Sequence, residues 1–208
     1  MAAGDPLELD TPHGIARVHL RPVEAAVAAL VLGHGAGGSV SAPDLLAVAD
    51  AARDERVAVA LVEQPYRVAG RRSPAPARQL DVAWVAVVEQ LRAGPLAGLD
   101  VVVGGRSSGA RVACRTAAAT EARAVLCLAF PLQPPRRRSA AGPPPSRLEE
   151  LDAVQVPVLV VQGDRDPFGL PPGAPGRTVA AVAGTHRLSS DLDGVAAAAR
   201  AWLGDLLA

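Results

Sequence analysis

The chain has 208 residues, half of them hydrophobic and a fifth charged. That length suits a single domain over 1–208 with enough interior for a real core. Its 21 basic residues balance 21 acidic ones, so no global field draws it to nucleic acid or an anionic membrane.

Short apolar runs alternate with helical patterns along the chain. Residues 7–9 and 14–20 read as an N-terminal hairpin, followed by a strand over 28–32. The glycine-rich stretch VLGHGAGGSVSAPD comes next. Within it Ser41 to Asp44 reads S-x-x-D, a capping-box variant ahead of Leu45, Val48, Ala49 and Ala52. A strand over 57–62 precedes a helix with a stripe of Leu80, Ala83, Trp84, Val87, Val88 and Leu91, which stops at Gly94 and Pro95. A strand over 100–103 leads into a helix after Ser108, and a further strand covers 125–129. The Pro- and Arg-rich segment 131–146 reads as an irregular surface loop rather than an anion-binding patch. Strands over 156–161 and 178–182 follow, and then a last helix with Leu192, Val195, Ala196, Ala199, Trp202, Leu203 and Leu206 on one stripe. Most strand candidates are continuously apolar, as strands covered on both faces are. The expected fold is α/β, a mostly parallel central sheet with helices on both faces.

Every basic residue is Arg, with no Lys, a bias that makes Arg content weak evidence of function. No basic, apolar leader pattern opens the chain, and no run reaches the ~18 apolar residues of a membrane span. Cys114 and Cys127 sit in apolar surroundings and read as buried free thiols. Without partner His spacing they make no metal site. The expectation is a cytoplasmic protein without a membrane or nucleic-acid partner.

The strongest motif is Gly105-Arg106-Ser107-Ser108-Gly109, a G-x-S-x-G after a strand and before a helix, the setting of a nucleophile elbow. A serine hydroxyl needs a base, and in this arrangement the chain order is Ser, acid, His. His13, His19 and His34 precede Ser107; only His186 follows it. The stretch VPVLVVQGDRDPFG supplies Asp164 and Asp166. Asp166 is the preferred acid, with Asp164 a turn residue. Glu149, Glu150 and Asp152 read as solvated charges.

The loop after the 28–32 strand has two readings. Gly33, Gly35 and Gly38 match G-x-G-x-x-G, and Glu63 ends the next strand, as in a dinucleotide site. That reading leaves Ser107, Asp166 and His186 unexplained. In the other, the Ala36 amide, with Gly37, joins the Ser108 amide in an oxyanion hole, and His34 braces the loop. Tyr66 and Arg67 follow the 57–62 strand on the side where ligands bind. Phe130, Leu132 and Phe168 offer an apolar wall. Arg67, Arg71 and Arg72 read first as solvated loop residues and second as a preference for an anionic substrate.

At these residues the chain resembles the α/β-hydrolase superfamily, in its small, capless, dienelactone-hydrolase-like range. GHGAGG, PYRVAGRRSPAP, GGRSSGARVA, LAFPLQPP and VQGDRDPFG, in that order, resemble a group of bacterial proteins with eukaryotic relatives, one a subunit of a histone-acetyltransferase complex. The resemblance implies a triad of Ser107, Asp166 and His186, and some relatives act as scaffolds without catalysis. Ser108 stands where a larger residue such as Met is usual, and Thr-His-Arg surrounds His186 where Asp-His-Ser is usual. The stretch PFGLPPGAPGR lacks the helix expected of a parallel crossover, which puts the last strand and the placement of His186 in question. The expectation is a serine esterase or thioesterase that needs no cofactor or metal and acts on a small molecule as a monomer or homodimer. The competing readings are a non-catalytic interaction module of the same fold and a nucleotide-binding oxidoreductase.

Overall fold

The computed structural model of the chain describes residues 5–134 and 145–208. Eight strands form one sheet: β1 (Leu7–Thr11), β2 (Gly14–Arg21), β3 (Ala28–Gly33), β4 (Val57–Glu63), β5 (Asp100–Arg106), β6 (Ala124–Leu128), β7 (Val158–Gly163) and β8 (Arg177–Val182). Their order across the sheet is β1-β2-β4-β3-β5-β6-β7-β8. The β1–β2 hairpin is antiparallel and β2 runs antiparallel to β4; the pairs from β4 through β8 are parallel.

The helices are α1 (Pro43–Asp54), α2 (Pro65–Val68), α3 (Ala77–Ala93), α4 (Ser108–Thr116), α5 (Leu148–Asp152) and α6 (Leu192–Leu207). The parallel strands split their apolar residues between two layers by simple alternation. Ala29 and Val31 of β3 face one layer, with Trp84, Val87 and Leu91 of α3 and Val112 of α4. Ala28, Leu30 and Leu32 face the other, with Leu45 and Val48 of α1 and Val195 and Leu203 of α6. This two-sided cover is why the central runs are apolar throughout.

Some expectations need correction. The capping box does not form: Ala42 is the N-cap of α1, and no side chain caps it. Ser41 instead shares a hydrogen bond with the Ser39 hydroxyl, and Asp44 is drawn inward to Arg106. Strand β7 starts two residues late, because Pro157 has no N–H to give the ladder. The four-residue α2 and five-residue α5 are too short to show helical periodicity. Glu150 of α5 is no solvated charge: it takes both ends of the Arg111 guanidinium, and Arg115 joins it. Asp152 pairs with Arg177. Residues 164–176, between β7 and β8, carry no helix, yet β8 still pairs parallel to β7. Of the segment 131–146, residues 135–144 lie outside the described residues.

Cys114 and Cys127 are buried and free, with Sγ atoms 3.5 Å apart; the neighbouring thiol and burial push Cys127 well above the usual thiol range. Among the described residues no helix is long and apolar enough to cross a membrane.

Candidate active site

Strand order reverses around β3, which has β4 on one side and β5 on the other. The loops leaving β3 and β5 lead to helices on opposite faces of the sheet, α1 on one and α4 on the other, the switch point at which open α/β sheets bind ligands. The glycine loop and the G-x-S-x-G turn are those two loops.

Strand β5 ends at Arg106 and α4 begins at Ser108, so Ser107 alone makes the turn, at φ 51° and ψ −106°. That conformation is strained for a residue with a Cβ and holds its side chain off the sheet edge. The flanking glycines make it fit. A Cβ on Gly105 would stand 2.5 Å from the Gly33 carbonyl oxygen, and one on Gly109 would stand 2.4 Å from the same atom. Any side chain there would push α4 away from β3. The Ser107 amide still donates to the Leu128 carbonyl at 2.8 Å, which ties the turn to β6.

His186 lies in the loop after β8, and its Nε2 is 2.9 Å from Ser107 Oγ. Its Nδ1 is 2.8 Å from Asp166 Oδ2. An ionised carboxylate only accepts, so Nδ1 carries the proton and Nε2 is left to accept from the serine hydroxyl. Asp166 is buried, and its Oδ1 accepts the Phe168 amide at 2.8 Å. Asp164 does not reach the imidazole; it accepts the Gly184 amide and so anchors the start of the histidine loop. The Phe168 ring packs on the imidazole with centroids 4.4 Å apart. Phe130 is fully buried core rather than a pocket wall.

The glycine loop rests on this turn. A Cβ on Gly35 would lie 3.6 Å from the Ser107 Cβ. His34 braces the loop from beneath: Nδ1 donates to the Gly35 carbonyl, and Nε2 accepts the Gln64 amide at 3.1 Å. Burial lowers its pKa, against the opposing pull of the Gly35 carbonyl. The amides of Ala36 and Ser108 have no hydrogen-bond partner among the described residues. Burial pushes the Tyr66 phenol above its ordinary pKa, and the Gly37 backbone and Arg67 pull the other way. Tyr66 is buried beside His34, ring edge to face. Arg67 spends an N–H on the Arg71 carbonyl.

Two residues that support this site, the half-buried Arg106 and the buried Gln162, had no sequence signal. Arg106, the variable residue before the serine, donates to Asp44 Oδ2 at 2.8 Å and to the His186 carbonyl at 2.9 Å. Gln162, near the end of β7, donates to Asp166 Oδ2 at 2.7 Å. These contacts depend on how the closed chain packs, so no local pattern marks them.

The family model described as "Alpha/beta hydrolase domain" matches residues 26–186. The chain belongs to the α/β-hydrolase family. No curated protein matches it in sequence. Its fold is that of Est1E from Butyrivibrio proteoclasticus, at 14% identity with 98% of this chain and 99% of that one covered and a TM-score of 0.77. A lidless α/β serine hydrolase from Xanthomonas campestris superposes with a TM-score of 0.71, at 22% identity over 97% of this chain and 94% of that one. A dienelactone hydrolase from Anabaena variabilis does so with a TM-score of 0.71, at 18% identity over 96% and 98%.

Within this fold the dinucleotide reading of the glycine loop loses its footing. A pyrophosphate site needs the last glycine at a helix N-terminus, but α1 starts at Pro43, well past Gly38. Glu63, opposite Arg17 in the β2–β4 register, lies 3.7 Å from the diagonal His19. Among the described residues no group of three or more His, Cys, Asp or Glu is arranged to hold a metal ion.

Proposed function

We propose that this α/β-hydrolase domain is a serine hydrolase acting on small esters or thioesters. The observation that carries the reading is the unbroken relay from Ser107 Oγ through the His186 imidazole to Asp166, at 2.9 and 2.8 Å. Ser107 Oγ attacks the acyl carbon while His186 Nε2 takes its proton. Asp166 holds the tautomer and stabilises the imidazolium. The tetrahedral oxygen receives the amides of Ala36 and Ser108, a contribution of about 3–4 kcal/mol per donor in comparable sites. His186 then protonates the leaving alcohol or thiol, and water, activated the same way, releases the acid. Phe168 keeps the imidazole in place and gives the acyl group an apolar contact; Tyr66 and Arg67 line the approach from β4.

A fluorophosphonate probe tests the reading. Wild type labels; Ser107→Ala and His186→Ala do not. An unlabelled, folded wild type would favour the non-catalytic interaction module that the eukaryotic resemblance suggests. An ester panel then sets the substrate: acyl chains of rising length, a carboxylate-bearing ester to test Arg71 and Arg72, and a feruloyl ester, since Est1E is known with ferulic acid bound.

A further inference from the structure

Gln162 stands in a strand whose neighbouring residues are Leu159, Val160 and Val161, and none of it reaches solvent. Its Nε2 meets three acceptors: Asp166 Oδ2 at 2.7 Å, the Gly169 carbonyl at 3.0 Å and the Phe130 carbonyl at 3.1 Å. Its Oε1 has no partner among the described residues. Turning the amide over would face Oε1 against three oxygens, so the orientation is imposed. Two protons therefore serve three acceptors, and an amide oxygen is buried without a donor. A buried polar group so incompletely matched in an otherwise apolar strand calls for a role beyond packing.

We propose that Gln162 is a positioning residue for the Asp166–His186 pair. It fixes Oδ2 toward the imidazole and sets how strongly that oxygen holds the Nδ1 proton. This rests on the serine-hydrolase reading above. The need follows from the fold: residues 164–176 carry no helix, so no helix behind the acid turn holds it in place. Gln162 ties that turn at Asp166 and Gly169 to the end of β7 and, through Phe130, to the loop after β6. It also shares Oδ2 with the imidazole, since Nδ1 and Nε2 both donate to that one oxygen.

Without the Gln162 donor, Oδ2 keeps more charge for the imidazolium. His186 then gives up its proton only at higher pH, and activity, which needs the neutral imidazole, rises later. The other charges facing the pair are balanced or distant from Oδ2. Asp164 and Arg165 on the same turn lie 3.5 Å from each other. Arg106, at the end of β5, sits on the His186 carbonyl and is matched by Asp44 of α1. Arg187 is exposed, and Arg147 is spent on the Pro131 carbonyl.

The test is kcat/KM against pH with p-nitrophenyl acetate, alongside an NMR titration of the His186 imidazole, for wild type, Gln162→Leu and Gln162→Glu. Wild type rises once to a plateau. In Gln162→Leu the rise and the imidazole titration both move to higher pH by roughly half a unit or more, and the plateau falls about tenfold, as for outer-shell partners that orient metal ligands. Gln162→Glu restores a donor while protonated and adds a falling alkaline limb, as the two adjoining carboxyls lose their shared proton. It carries the test if the Leu variant fails to fold. A residue that merely packs lowers activity at every pH and moves neither limb; an unmoved imidazole titration in Gln162→Leu, or a Gln162→Glu profile without the alkaline limb, overturns the proposal. An imidazole shift in a chain that neither turns over ester nor labels would overturn the hydrolase reading alone.

Discussion

At the scale of single residues, a buried imidazole and a half-buried guanidinium hold the site together by opposite electrostatic means. His34 works as a neutral imidazole, one nitrogen donating to Gly35 and the other accepting from Gln64. Burial lowers its pKa from the ordinary 6.5, so below pH 6.5 the unfolded chain takes up a proton that the folded chain refuses. Its contribution is fully present above 6.5 and is lost progressively as pH falls toward the depressed folded value. The expected outcome is a urea midpoint that drops between pH 7 and pH 5, with a shallower drop in His34→Gln; parallel slopes would contradict it. Arg106 works as a charge. It neutralises Asp44, whose side chain is 1% exposed, and burial otherwise pushes that carboxyl up. Arg106→Met strands the carboxylate and should cost about 3–5 kcal/mol. Adding Asp44→Asn should recover about half of that loss, because no buried charge then remains unpaired. A double-mutant cycle by urea denaturation measures the coupling; additive losses would show that the two residues act independently.

At the scale of elements, what the sequence disclosed followed the physics of each element. The central strands were legible because they are apolar runs bounded by turns, whereas the more polar N-terminal hairpin was only weakly marked. Long helices were legible through their stripes. Elements decided by distant partners were not: Asp44 looked like a cap because nothing nearby tells that Arg106, sixty-two positions on, will claim it. The helix missing before β8 was legible as a run of prolines, and its absence has a dynamic consequence. Strand β8 is the sheet edge, and Thr178 and Ala181 are exposed. Strands β3 and β5 are fully or almost fully buried. Amide hydrogen exchange should therefore run about a hundredfold faster in β8 than in β3 and β5. Equal protection across the sheet would mean that the edge opens only with global unfolding.

At the scale of the whole molecule, chain order singled out His186, the only histidine after Ser107, but left both Asp164 and Asp166 in the place of the acid; the fold brings Asp166 to the imidazole. The supports of that site were not legible, because Gln162 and Arg106 bridge segments that only the closed fold brings together. A similar gap separates the family match, which begins at residue 26, from the structure, in which the preceding hairpin is built into the sheet. Strand β2 covers the edge of β4 from Arg17 to Arg21, β1 contributes Leu9, and Ala16 and Val18 of β2 are fully buried. Gln90 of α3 reaches the Asp10 carbonyl at 2.8 Å. Removing residues 1–22 would forfeit the burial of Leu9 and Val18, about 1.5–3 kcal/mol each, together with the β2–β4 ladder. It would also uncover β4, whose sequence VAVALVE has no charge before its last residue and no proline to discourage pairing with another chain. The truncated chain should melt at least about 10 °C lower and elute in light-scattering chromatography as larger species than the full chain. A truncated chain of unchanged size and melting temperature would show that the sheet core, from β4 to β8, folds and stays apart from its neighbours without the hairpin.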